Sequence, residues 1–211
     1  MGIVDFVLHF DKHLLDFVRD YGSWVYAILF TIVFAETGFV VTPFLPGDSL
    51  LFAAGALAAT GNLSILAMLG LLVLAAFAGN TVNYAVGRFI GPRVFAANIR
   101  FLNKEYLDRA HAFFEQYGGK AVILARFVPI VRTFVPFVAG AAQMTRISFA
   151  LYNLVGAAAW VSLCLGAGWF FGNIPVIKNN FSLVTIGIVL VSVLPMLFEL
   201  LSHHRGKAAP R

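Results

Sequence analysis

Cysteine is almost missing from this chain: Cys164 is the only one, so no disulfide can form within it. Charge is nearly as scarce, with only 12% of the 211 residues being Asp, Glu, Lys or Arg, against 60% hydrophobic residues and a mean hydropathy of +0.87. A soluble domain carries roughly 45–50% apolar residues, so the composition excludes an ordinary soluble protein. No charge lies between Asp20 and Glu36, Asp48 and Arg88, Arg146 and Lys178, or Lys178 and Glu199. The longer of these gaps each hold a membrane span of about 20 residues. The opening MGIVDFVLHFDKHLLDF lacks a basic n-region followed by a clean apolar run, so no cleaved signal peptide is expected. P-loop, GxGxxG, HExxH, CxxC and GxSxG patterns are missing, which leaves every enzyme class without a motif. The same lack leaves no cofactor or metal to expect, and His203 and His204 read as headgroup contacts. The net charge of +5 does not imply nucleic acid, because the basic residues cluster in Arg88 to Lys120 and Arg205 to Arg211, flanking apolar runs. Positive-inside bias is the simpler account.

What is present is organised around Glu36 to Ala59, ETGFVVTPFLPGDSLLFAAGALAA. An apolar run is broken there by Pro43, Pro46 and Gly47 and carries two carboxylates, Glu36 and Asp48, without a basic neighbour in sequence. Proline breaks the helical ladder, and a charge in hydrocarbon costs several kcal/mol unless it is paired or hydrated. Such a segment must fold against protein or around an aqueous cavity, as transporter binding sites do.

In chain order, Ile3 to Tyr21 has helical apolar spacing with a polar face, predicting an amphipathic interfacial helix. Trp24 to Phe39 and Ser49 to Ala59 are each short for a crossing, predicting a re-entrant hairpin. Ile65 to Val86 is long enough to span, with Asn80, Asn83 and Tyr84 in its last turns. Arg88 to Lys120 holds six basic and three acidic residues, and Tyr106, Ala110, Phe113, Phe114 and Tyr117 mark a second amphipathic helix. Ala121 to Ala142 is apolar yet contains Arg126, Pro129, Arg132 and Pro136, predicting a second broken hairpin. Ile147 to Phe171 and Phe181 to Leu201 read as spans, followed by a basic tail over 202–211.

Phe17, Tyr21 and Gly22 recur 96 positions on as Phe113, Tyr117 and Gly118, and Phe52, Gly55 and Ala56 recur as Phe137, Gly140 and Ala141. The expected fold is therefore an all-α polytopic membrane protein forming one domain. It is an inverted repeat of amphipathic helix, re-entrant hairpin and transmembrane helix, over about 1–87 and 100–172, with a C-terminal span added. If both basic stretches face the cytoplasm, two spans plus a re-entrant hairpin separate them, placing the C-terminus inside.

Glu36, Asp48, Arg126 and Arg132 stand at hairpin positions, and their formal charges sum to zero. Two buried salt bridges locking the hairpins would account for them. A functional account is favoured because buried pairs stabilise poorly compared with apolar packing. Arg126 and Arg132, six apart across Pro129, would turn two guanidinium forks toward one phosphate or carboxylate. Glu36 and Asp48 would exchange protons. Asn80, Asn83 and Tyr84 would line a polar path or cap the helix end. Asn153, Gly156, Gly166, Gly168 and Gly172 read as helix-packing residues.

The motifs FAETGFVVTPFLPGDSLLFAAGALA, GNTVNYAVGRFIG and GGKAVILARFVPIVRTFVPFVAGAAQMTRISFALYNLVGAAAW resemble the DedA family, also called the SNARE-associated or VTT-domain family, over most of residues 20–172. The resemblance implies a multi-pass protein of the bacterial inner membrane with re-entrant hairpins entering from opposite faces. It implies a proton-motive-force-dependent flippase or transporter of lipid carriers, notably undecaprenyl phosphate, or of phospholipids. The family's essential acidic pair matches Glu36 and Asp48, and its arginine pair matches Arg126 and Arg132. Asn80 departs from the pattern, since an acidic residue is expected there and an amide carries no proton. Membrane lipids and protons are then the partners, and a homo-oligomer is compatible with that reading. A proton-coupled cation antiporter is the competing function, because two intramembrane carboxylates suffice for it. A non-transporting assembly protein is the third.

Overall fold

The computed structural model describes residues 22, 24–39, 47–59, 61, 63–96, 104–128 and 131–174. The interfacial helix expected over 3–21, the Pro/Gly break at 40–46, the C-terminal span and the basic tail lie outside them. Among the described residues there is no strand, and the helices are α1 (Trp24–Gly38), α2 (Gly47–Ala58), α3 (Ile65–Ala96), α4 (Lys104–Tyr117), α5 (Ala121–Leu124), α6 (Val131–Ala141) and α7 (Arg146–Gly172). Short 3-10 turns at Gly118–Lys120 and Ala125–Phe127 flank α5.

Two of these helices are long and apolar enough to cross a membrane, Ile65–Ile90 within α3 and Arg146–Gly172. At about 1.5 Å per residue they exceed the roughly 30 Å of hydrocarbon. α1, α2 and α6, with 15, 12 and 11 residues, fall short of it. Large apolar side chains point outward from the long helices, including Leu66, Phe89, Ile147, Leu151 and Phe170, while Glu36, Asn80, Asn83, Arg126 and Asn153 are buried. Polar inside and apolar outside is the arrangement lipid favours, and the molecule is a helical membrane protein.

One expectation is corrected. α3 does not end near Val86 but continues to Ala96, so Asn80 and Asn83 cap nothing. Backbone hydrogen bonding does not stop where hydrophobicity does. The second hairpin is interrupted where the sequence places it, with Val128 turning extended ahead of Pro129, while Pro136 lies inside α6 without ending it. The residue before a proline avoids the helical region.

The chain divides into two compact units. One contains α2 and the end of α7 from Cys164 onward. Here glycines let backbones touch: a Cβ on Gly55 would lie 2.9 Å from Leu165 C and Trp169 N, and one on Gly168 would lie 2.8 Å from Phe52 C. The Phe52 and Phe171 rings lean together beside this crossing, with centroids 6.1 Å apart.

The second unit contains most of α1, α3, α4, α5, α6 and α7 up to Leu163. Its core is Tyr84, Ala110, Val122, Phe134, Val135, Phe137, Val138 and Phe149 with their neighbours, and Phe113 and Phe114 of α4 pack against it. α4 is thus amphipathic as expected, and its apolar face meets protein. α3 and α6 cross as closely as α2 and α7: a Cβ on Gly87 would lie 2.8 Å from Phe137 C, and one on Gly140 would lie 2.7 Å from Arg88 N. α6 ends in a Schellman turn, with Gln143 N–H bonded to Gly140 O at 2.9 Å and Met144 N–H to Ala139 O at 3.0 Å. Gln143 takes the left-handed conformation there, at φ 58°.

That turn is latched to α3. Tyr84 donates its hydroxyl to Met144 O, Arg88 Nη1 donates to Tyr84 Oη at 2.9 Å and to Met144 O at 3.0 Å, and the Tyr84 ring stacks on Phe149 at 4.1 Å. Tyr84→Phe keeps the stack and removes the hydroxyl. We expect it to destabilise the protein by about 1–2 kcal/mol in a thermal melt in detergent; no change would mean that Arg88 alone holds the turn.

Candidate functional site

The site is built in the second unit from breaks in its helices. Arg126 sits in the 3-10 turn after α5, and Arg132 is the second residue of α6, its N–H bonded to Val128 O at 3.1 Å. Helix is interrupted between them at Val128, which is extended as a residue before proline prefers to be. The fold brings both to one place: each guanidinium carbon lies 5.8 Å from the centroid of the Trp160 ring.

Glu36 joins them from the last turn of α1. Arg132 Nη2 donates to Glu36 Oε1 in an ion pair, with Glu36 only 4% exposed and the Arg132 side chain 18% exposed. Glu36 is carried there by a close approach of α1 to α3, where a Cβ on Gly79 would lie 2.7 Å from Phe34 O and 3.0 Å from Gly38 N.

Arg126, 5% exposed, is held differently. Its Nη2 donates to Asn153 Oδ1 at 2.7 Å and to Ala76 O at 3.3 Å. Asn80 completes the arrangement once its amide is oriented by its neighbours. With the oxygen toward Arg126 Nη2 at 2.9 Å and the nitrogen donating to Thr37 O at 3.3 Å, both ends are used; the reverse orientation donates to Asn153 Oδ1 at 3.2 Å but sets the amide against the Arg126 donor. Asn153 Nδ2 also donates to Phe77 O at 3.0 Å. Asn83 donates to Thr133 O at 2.8 Å and to Thr37 O at 3.4 Å, tying α3 to the end of α1 and the first turn of α6.

Of the residues expected from sequence, Glu36, Arg126, Arg132 and Asn80 meet, and Asn83 braces the same helices. Tyr84 belongs to the latch at the α6–α7 turn. Asp48 lies in the first turn of α2, in the other unit, where a carboxylate suits the positive end of the helix dipole. Trp160 did not emerge from sequence reasoning, and Asn153 and Gly156 stood only as packing residues. Their spacing was a usable signal: Asn153, Gly156 and Trp160 fall at i, i+3 and i+7 on one helix face, with an amide inside an otherwise apolar span. No cluster of three or more His, Cys, Asp or Glu suited to a metal occurs among the described residues.

Chemically, the arrangement suits an oxyanion. It offers two donor forks beside an aromatic ring, one held by amides and a carbonyl and the other by a carboxylate that an oxyanion can replace.

The comparisons agree with a membrane role. The VTT domain model matches residues 45–170. Protein DedA of Escherichia coli is 53% identical over 209 residues, covering 98% of this chain and 95% of the relative. An uncharacterized membrane protein of Mycobacterium tuberculosis is 42% identical over 190 residues, 89% of this chain and 83% of its own. The inner membrane protein YqjA of Escherichia coli is 33% identical over 177 residues, 83% and 80% respectively. No solved structure matches the chain. With a family model spanning more than half of its length and a relative this similar from end to end, the chain belongs to the DedA family of VTT-domain membrane proteins.

Proposed function

We propose that this protein is a proton-motive-force-dependent transporter of the bacterial inner membrane that passes an anionic lipid headgroup across the bilayer. Undecaprenyl phosphate is the substrate the family resemblance suggests. The observation that carries this reading is the Arg132–Glu36 ion pair set beside Arg126 on one buried indole. A phosphate matches a guanidinium fork as well as a carboxylate does, so the headgroup enters by replacing Glu36 on Arg132. The displaced carboxylate cannot remain charged cheaply in a desolvated site, so it takes up a proton. Headgroup and proton therefore load together. On release, the proton leaves and Glu36 closes again on Arg132. The family resemblance suggests Asp48 as a second proton-coupling acid, and the polyprenyl tail stays in lipid against the apolar outer face.

Two further observations support the architecture the reading needs. α1, α2 and α6 are too short to cross, as halves of re-entrant hairpins would be. The two glycine crossings also share a register. Gly168 faces the backbone of Phe52 and Gly87 that of Phe137, while Gly55 and Gly140, three residues on, face the carbonyls of Leu165 and Tyr84. Phe52 and Gly55 are the repeat mates of Phe137 and Gly140, so this register supports the repeat.

A flip assay in proteoliposomes tests the reading, using a fluorescent polyprenyl phosphate and an imposed proton gradient. The wild type is expected to move the lipid and the Arg126→Ala, Arg132→Ala double variant to lose at least ~100-fold in rate, the scale of removing preorganised charge stabilisation. Unchanged transport by the double variant rejects the clamp. The antiporter alternative has less support, because Glu36 is already engaged by a guanidinium; cation flux in liposomes free of lipid substrate would reverse that ranking.

A further inference from the structure

α7 supplies more to this site than sequence spacing suggested. Asn153, Gly156 and Trp160 lie on one face of it, and each meets the same side chain. Asn153 accepts from Arg126 Nη2 at 2.7 Å. Gly156 leaves room for the arginine stem: a Cβ there would lie 3.1 Å from Arg126 Cδ, 3.2 Å from its Nε and 3.2 Å from the Ile123 Cα. Trp160, 3% exposed, sits 5.8 Å from the Arg126 guanidinium. The three residues form a slot that fixes Arg126.

Arg132 reaches the same ring at the same distance from α6 and, unlike Arg126, is held by a carboxylate and partly exposed. Two guanidiniums near one another repel, and the negative face of an indole is the ring best suited to offset that repulsion.

We propose that Trp160 is a positioning residue common to both arginines, and that the clamp has a stationary half, Arg126, and a moving half, Arg132. Arg132 stays against the indole as it passes from Glu36 to the bound anion. The ring therefore sets how strongly a phosphate headgroup is held. This rests on the anion-binding reading above and adds to it a residue and a division of labour.

The test uses the full chain in nanodiscs with Trp24→Phe and Trp169→Phe, leaving Trp160 as the single tryptophan. Farnesyl phosphate is the probe, farnesol the uncharged control, and inorganic phosphate the arm that separates a lipid headgroup from a free ion. Farnesyl phosphate is expected to shift Trp160 emission saturably, farnesol to leave it unchanged, and Arg132→Met to abolish the shift. Trp160→Leu should weaken farnesyl phosphate binding about 5- to 10-fold by calorimetry, with Trp160→Phe recovering part of the loss. Thermal melts keep folding defects apart from binding defects, and Trp160→Phe retains an aromatic core should the leucine variant fail to fold.

Leucine binding within twofold of wild type overturns the proposal, as does a folded phenylalanine variant no better than leucine, or an emission shift that survives Arg132→Met. Those results leave the transport reading in place. Phosphate binding as tightly as farnesyl phosphate keeps the indole's role and moves the ligand from lipid to free ion. A wild type that binds neither overturns the transport reading and the proposal together.

Discussion

Arg132→Gln is expected to destabilise the protein more than the loss of both members of its ion pair. The single change leaves the Glu36 carboxylate, 4% exposed, without the guanidinium that Arg132 gives it. Breaking a buried pair from one side costs about 3–5 kcal/mol, and the partial exposure of Arg132 argues for the lower end. Glu36→Gln combined with Arg132→Gln removes both charges, so no buried carboxylate is left without its guanidinium and most of that loss should return. Transport should be abolished in both, because neither retains a second fork for the headgroup. Thermal unfolding in nanodiscs, run beside the flip assay, separates the two effects. A double variant as unstable as the single one would show that the pair is not the source of stability. A double variant that still transports would remove Arg132 from the anion's path.

Valine at Gly87 or Gly140 should be the most disruptive apolar change in the second unit. The obstructing atoms are the backbones of Phe137, Tyr84 and Arg88, which cannot rotate away as a side chain can. Overpacking typically costs 1–3 kcal/mol, and a backbone obstacle places these near or above about 3 kcal/mol. The two changes act on one crossing, so the double variant should cost much less than the sum, since the first already separates the helices. Gly70→Ala and Gly166→Ala are the controls: nothing lies within 4 Å of a Cβ at either, and alanine should gain up to about 1 kcal/mol as a better helix former. Melting temperatures of the five variants check the pattern. Additive losses at Gly87 and Gly140 would mean that the glycines serve separate contacts. Transport should fall with the first pair as well, because α6 carries Arg132 in its first turn.

Much of this was legible in sequence because lipid imposes simple rules. A 27-residue helix over Arg146–Gly172, short helices on either side of each proline break, and charged residues set at those breaks all follow from hydrocarbon thickness and the cost of unsatisfied backbone. The residues of the clamp were legible for the same reason: a charge in an apolar run has to serve something. Helix ends were less so, as α3 shows by running ten residues beyond Val86.

Which residues meet was decided only by the tertiary structure. Glu36 and Arg132 stand 96 positions apart, the same offset that separates Phe17 from Phe113, but a repeat offset relates two copies and does not say that the mates touch. Nor did any pattern distinguish Trp160, buried beneath two arginines, from Trp24 or Trp169, which are exposed. In water an apolar stripe marks the face that packs. In lipid the outer face is as apolar as the inner, so the stripe is lost, and the packing face is known only once small residues, amides and charges have found partners through space.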